Sequence, residues 1–307
     1  MTQTRLALLL LAVGCSTEGS GTESATATSD PSGPYVVPPD EPQTPDLNNA
    51  AVAAGIEEAL DVLFTFDLTP IEVGYAAIMA EAEDGCPTWA IGDGNQYWTA
   101  SCTTSGGARF DGYGAVIDYA EFEADDGLTY TGHLFNSVSS VTTAAGETFT
   151  GGGIAYAIHG TDGAGYEVTS FGTSSDFDWT GPDAADSWLR ADAELDFEAT
   201  QVTGEGFQLF VVDGTIASLS AVQAVVFSDL VAVDHLGRPE GCVREPSGAV
   251  AVLTNDGHWF DLAFEGIEPD GELDPTVGCD GCATAWFRGH PLGEVCMDAD
   301  AAYAWAD

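Results

Sequence analysis

Between Trp188 and Glu198 every second residue is apolar. Leu189, Ala191, Ala193, Leu195 and Phe197 alternate with Arg190, Asp192, Glu194, Asp196 and Glu198. Successive side chains of a strand point to opposite faces, so this period puts one set on a core and the other in water. A helix built from the same residues would scatter acids and apolar groups around its whole circumference. The stretch is therefore predicted to be a strand with one buried face, and the same period governs the chain from Cys86 onward. Phe207 to Val212 and Val225 to Val233 are apolar on both faces. Such strands are covered twice or packed against helices.

Asp-Gly pairs punctuate these runs at 93–94, 126–127, 162–163, 213–214 and 256–257. Asp-Gly suits the type I′ turn, whose two central residues both need positive φ. Val212-Asp213-Gly214-Thr215, set between apolar runs, is the clearest instance. The expected fold is mainly β: an antiparallel meander of hairpins, as a sheet or sandwich, preceded by one or two helices. The first helix is predicted over Ala51–Phe64, with Val52, Ile56, Leu60, Leu63 and Phe64 on one stripe. A second is predicted to start at Thr69-Pro70-Ile71-Glu72, which has the order of a cap, a first-turn proline and a capping-box acid. It would run to about Ala82, with Ile71, Tyr75, Ile78 and Met79 on its apolar face. An aromatic residue two before a glycine recurs at Phe110, Tyr130, Phe149 and Trp179. A strand-plus-turn unit repeated along a sheet would produce that spacing. It resembles part of the pattern of MORN-type hairpin-repeat proteins, and no function is carried over from them.

The residues before this region differ in kind. Arg5 precedes an unbroken apolar run, Leu6–Val13, that is far shorter than the roughly 20 residues a membrane-spanning helix needs. The run closes on Ala12-Val13-Gly14-Cys15. This segment resembles the lipobox of bacterial lipoproteins, with Ala12 in the place usually held by Leu. The resemblance implies a signal peptide over residues 1–14, a diacylglyceryl group on the Cys15 thiol and an acylated Cys15 amine. It also implies an outer-membrane or cell-surface destination in a cell with two membranes, because Ser16, not Asp, follows the cysteine. Residues 16–48 are Ser, Thr, Gly, Pro and acids, with almost no large apolar side chain. A disordered tether is expected over 15–48, with a reach of about 30 Å as a flexible coil. The remaining 49–307 is expected to be one β-rich domain.

Removing the leader leaves five Arg, no Lys and 50 acidic residues, a formal charge of −45. Such a surface repels nucleic acid and anionic headgroups. Apolar residues make up 45% of the chain, which separates it from disordered acidic tails.

Six cysteines remain beside Cys15: Cys86, Cys102, Cys242, Cys279, Cys282 and Cys296. An even count in an exported chain points to disulfides. Cys86 and Cys102 are symmetric about Asp93-Gly94, and Cys282 and Cys296 about Gly289, so hairpins would bring each pair together. That leaves Cys242 for Cys279. Two other readings compete. Cys279, Cys282, His290 and Cys296 form a string that looks like a zinc knuckle with over-long inner spacings, and Cys279-Asp280-Gly281-Cys282 is the motif of thiol–disulfide exchange sites.

No Gly-x-Ser-x-Gly, His-Glu-x-x-His, P-loop or dinucleotide-binding pattern is present, and no cofactor is expected. The five histidines, His133, His159, His235, His258 and His290, are scattered without an oriented partner. Asp176-Phe177-Asp178-Trp179-Thr180-Gly181 matches a calcium loop at positions 1, 3 and 6, but Pro182 and Ser187 break the pattern. Seven Trp and nine Tyr fit either a β core or a glycan-stacking surface. The sequence therefore points to a lipid-anchored envelope protein acting as a structural or binding module, with a glycan or a protein as its partner. The alternative is a secreted glycan hydrolase, which would need two carboxyls about 5–10 Å apart in a cleft, one with a raised pKa.

Overall fold

The computed structural model describes residues 45–66, 68–69, 79–92, 95–123, 129–146, 148–162, 164–175, 178–180, 194–234, 244–266, 280–298, 301 and 303–306. Asp46–Asp307 forms one compact unit and Met1–Pro45 a separate one. The larger unit opens with helix α1 (Asn49–Phe64). Asn48 caps it, its carboxamide oxygen accepting from the Ala51 amide at 3.2 Å. Val52, Ile56, Leu60 and Leu63 are buried, as their spacing predicts, and Phe64 is half-buried. Of the second predicted helix, from Thr69 to about Ala82, residues 70–78 lie outside the described residues, and Met79 and Ala80 are helical. Among the described residues no helix is long and apolar enough to cross a membrane.

Fourteen strands follow among the described residues. The first seven are β1 (Thr88–Gly92), β2 (Asn95–Thr103), β3 (Arg109–Glu123), β4 (Thr129–Thr142), β5 (Thr148–Thr161), β6 (Glu167–Ser175) and β7 (Asp178–Thr180). The rest are β8 (Glu194–Gly204), β9 (Phe207–Ala217), β10 (Ala224–Asp234), β11 (Ser247–Leu253), β12 (Trp259–Glu265), β13 (Cys282–Phe287) and β14 (His290–Cys296). Thirteen pair antiparallel with their neighbours in chain order, and β7 pairs β5. β7 meets β5 in the same register as β6, and residues 176–177 between them lie outside the described residues. The mainly β, antiparallel hairpin meander expected from the sequence is the observed fold.

The alternation that opens the sequence argument continues through β8, where Leu195 and Phe197 are buried and Asp196 is exposed. Residues 188–193 lie outside the described part. One register row crosses eight strands on this inner face: Ala155, Thr173, Phe197, Gly214, Phe227, Val250, Leu262 and Ala285. It packs with α1 into a single core. Each fully buried Val, Leu, Ile or Phe side chain contributes about 1.5–3 kcal/mol, so the apolar stripe of α1 is what holds it on the sheet. The Glu58 carboxylate adds a polar tie from α1 to the β9–β10 loop, accepting from the Ser220 hydroxyl at 2.8 Å and the Ser220 amide at 2.9 Å. The outer faces of β6, β8, β9 and β10 carry a second cluster, Val168, Val202, Leu209 and Val233. Strands β9 and β10 are thus apolar on both sides for two separate packing reasons.

Two sequence expectations about turns are corrected. Asp213-Gly214 is no turn; both residues lie inside β9. Gly214 has φ +123°, and a β-carbon there would overlap the Asp196 carbonyl oxygen and the Phe197 α-carbon of β8. Glycine is needed for close approach between strands. Asp213 faces a β-bulge at Ser228-Asp229 of β10, and its carboxylate accepts from the Asp229 amide at 2.8 Å. The β5–β6 and β11–β12 reversals are not two-residue type I′ turns either. They span Asp162–Tyr166 and Thr254–His258, like Thr104–Ala108 between β2 and β3. In all three, the first amide donates to the fifth carbonyl and the fourth residue, a glycine at positive φ, donates back to the first carbonyl. Asp256 itself does not have positive φ. The two-residue turn with both φ positive is Arg288-Gly289, between β13 and β14. The aromatic-x-Gly motif falls once per strand near its start: Phe110, Tyr130, Phe149 and Trp179 are the second residues of β3, β4, β5 and β7, so the 20- and 19-residue spacings at Phe110, Tyr130 and Phe149 are those of one strand plus its turn. Phe110, Val141, Phe149 and Trp179 form one cross-strand row, and Tyr130 sits apart from it.

Candidate functional site

The register that builds the inner face also assembles a cavity of about 650 Å³ at the C-terminal end of α1. Its floor comes from neighbouring strands. Ala157 of β5 faces Phe171 of β6, and beside them a second row runs His159, Thr169, Gln201, Phe210 across β5, β6, β8 and β9. That row passes from exposed His159 through half-buried Thr169 and Gln201 to buried Phe210. Leu63 and Phe64 of α1, with Phe66 and Leu68 just after it, line a second side. Thr69, Ala304 and Trp305 complete the described lining.

Aromatic rings dominate this lining. Phe66 stacks on Phe171 at 5.8 Å and 17°, and Phe210 stacks on Trp305 at 5.6 Å and 25°. Phe64 meets Phe210 edge-on at 5.2 Å. Such arrangements follow the ring quadrupole, with offset faces or an edge against a face. The polar groups are few. His159 Nδ1 and the Thr169 hydroxyl are 2.9 Å apart. The described lining holds no Asp, Glu or Arg, although the chain carries 50 acids.

A second polar centre lies at the far end of β10. Buried Asp234 accepts from Arg244 Nε at 3.1 Å and Nη2 at 2.8 Å through one carboxylate oxygen. The Arg244 guanidinium stands 5.6 Å from the centre of the Tyr303 ring. Glu245, also buried, accepts from the Gly281 amide at 3.2 Å. Burial raises the Glu245 pKa above the usual carboxylate range, and burial beside Glu245 raises that of the Tyr303 hydroxyl. These groups fasten the C-terminal segment to the sheet and do not line the cavity. A shallow depression at residues 82–88 contains Glu83 and Asp84. There the Ser105 hydroxyl and amide both donate to exposed Glu83 and lower its pKa. Neither depression offers, among described residues, a carboxyl pair with one raised pKa, so this geometry gives the hydrolase reading no support.

Among the described residues two disulfides are in place. Cys86–Cys102 joins the start of β1 to β2, and Cys282–Cys296 links partners directly opposite in β13 and β14. Cys282 is therefore neither a zinc ligand nor half of a C-x-x-C exchange pair. His290, the fourth member of that string, is exposed at the start of β14. Cys15, Cys242, Cys279 and His235 fall outside the described residues, as do Asp176, Phe177 and Gly181 of the calcium-loop pattern. Among the described residues no group of three His, Cys, Asp or Glu side chains could hold a metal ion. His258 stands 3.9 Å from Asp256 on the exposed β11–β12 turn. Of the aromatics, Trp259 is 46% exposed on β12, and Trp305 is drawn into the cavity.

His159 is the cavity residue that scanning for oriented partners passed over. Its partner Thr169 is ten residues away, and only the β5–β6 register brings them side by side. The chain matches no family model, no curated protein and no solved structure, so the arrangement of residues alone carries the functional argument.

Proposed function

We propose that this chain is an exported, lipid-anchored cell-envelope protein whose β-rich domain is a binding module for a small molecule. The observation that carries the binding role is the cavity at the end of α1, roofed and floored by Phe66, Phe171, Phe210 and Trp305. Ligand sites are concave and mostly apolar, with a few placed polar groups, and range over roughly 300–1,000 Å³. This cavity matches that description in volume and lining. Export and anchoring are supported by the lipobox resemblance at Cys15 and by disulfides, which persist in oxidising compartments.

Two experiments test the two halves. Titration with N-phenyl-1-naphthylamine, a neutral ring dye whose emission rises in apolar sites, should give saturable binding at one site per chain. Trp305→Ala should weaken it at least tenfold with little change in the unfolding midpoint. Binding that does not saturate, or that Trp305→Ala leaves alone, would remove the module reading. For the anchor, metabolic labelling should place palmitate on the protein, and Cys15→Ala should release it from the membrane fraction. A protein that stays unlabelled would end that part of the proposal.

A further inference from the structure

We infer that the cavity takes an uncharged, flat ring compound bearing a hydroxyl or carbonyl on one edge, and this rests on the binding reading above. Three observations converge on that class. The stacked pairs Phe66–Phe171 and Phe210–Trp305 both line the cavity and make its wall largely aromatic, a surface that suits a ring compound. The described lining carries no acid or Arg, so a cationic ligand finds no counter-charge there. An anionic ligand is opposed by the chain's formal charge of −44.

The third observation is the graded row on the floor. His159, Thr169 and Gln201 place an imidazole, a hydroxyl and a carboxamide along one line that ends at Phe210. A hydroxyl and a carboxamide both donate and accept hydrogen bonds without a net charge, and a neutral imidazole does the same. The exposed end of the row is His159 and the buried end is Phe210. A ring compound entering with its apolar part toward Phe210 and Trp305 keeps its polar edge beside Gln201 and His159. A purely hydrocarbon ring of the same size would cover the Gln201 carboxamide without offering it a hydrogen-bond partner. Sites built to hydrogen-bond a substituent reject analogues that lack it far more strongly than apolar pockets reject an extra methyl group.

The test uses three naphthalenes of nearly equal size: 1-naphthol, 1-methylnaphthalene and 1-naphthalenesulfonate. Calorimetric titration of the full chain should show 1-naphthol binding about tenfold or more tighter than 1-methylnaphthalene, with no binding of the sulfonate. Gln201→Leu should shrink that preference to about twofold or less while retaining 1-methylnaphthalene affinity. His159→Leu, at an exposed position, serves as the second variant and should reduce the preference in the same direction. Equal binding of 1-naphthol and 1-methylnaphthalene by the unaltered chain would overturn the ligand class and leave the cavity as a plain apolar site. Tight binding of the sulfonate would overturn it as well. Failure of all three to bind would remove the cavity's binding role altogether.

Discussion

A β-carbon built on Gly248 would fall inside the van der Waals shell of the Asp229 carbonyl oxygen. Gly248 sits in β11 at φ +111°, opposite the bulge where Asp229 takes φ +48°. The bulge and the glycine are two halves of one device, because the extra residue in β10 is accommodated only where its neighbour lacks a side chain. Gly248→Ala is expected to cost about 2–4 kcal/mol, combining the unfavourable φ with the overlap. Urea unfolding should show a lower midpoint at unchanged slope.

The Asp234–Arg244 pair yields a second prediction. Arg244→Ala leaves a carboxylate that is 7% exposed without its counter-charge. Breaking a buried pair from one side costs about 3–5 kcal/mol, whereas removing both partners costs less. The double variant Asp234→Ala/Arg244→Ala should therefore be more stable than the sum of the single losses predicts. A double-mutant cycle by chemical denaturation measures that difference.

Glu245 makes stability depend on pH in a defined direction. Its folded pKa lies above the ordinary glutamate value because burial penalises the charged form. The native state then holds this proton more tightly than the unfolded chain. The contribution is fully present below the unfolded pKa and is lost as pH rises through the folded one. Glu245→Gln keeps an oxygen acceptor for the Gly281 amide without the charge. It should raise the unfolding midpoint at pH 7 and flatten the part of the pH–stability profile that falls on leaving the acidic range.

Cys86–Cys102 and Cys282–Cys296 close loops of similar length, with sequence separations of 16 and 14. By loop-closure entropy each contributes about 3 kcal/mol. The Cys282→Ala/Cys296→Ala variant should lose about that amount. Mass mapping of alkylated, unreduced protein should find none of these four thiols modified.

What the sequence disclosed, and what it hid, follows from the range of the forces involved. The strand through Leu195 and Phe197 and the stripe Val52–Leu63 were legible because burial on one face imposes a local period. The Cys282–Cys296 hairpin was legible because symmetric spacing about Gly289 is also local. Asp213-Gly214 misled because a glycine required by Phe197 of another strand looks the same, in sequence, as a glycine required by a turn. The loops opened by Thr104, Asp162 and Thr254 do carry a readable signal: a Thr or Asp three residues before a glycine, its side chain able to close over the reversal. The cavity had none. Its residues come from the segments near 64, 158, 170, 205 and 305, and only the packing of α1 and the C-terminal segment on the sheet makes neighbours of Phe64, Gln201 and Trp305.

A sheet whose strands pair only with their neighbours in the chain can come apart without any global event, by peeling from its first strand or its last. The two disulfides among the described residues fall on those ends, one across the β1–β2 hairpin and one across β13–β14. They are bolts on the outermost rungs of a ladder. A protein pulled or frayed at either end meets a covalent stop before the hydrogen bonds of the interior strands are loaded. Its resistance to proteases, shear and edge-to-edge aggregation should therefore depend on the redox state of its surroundings more steeply than its equilibrium stability does.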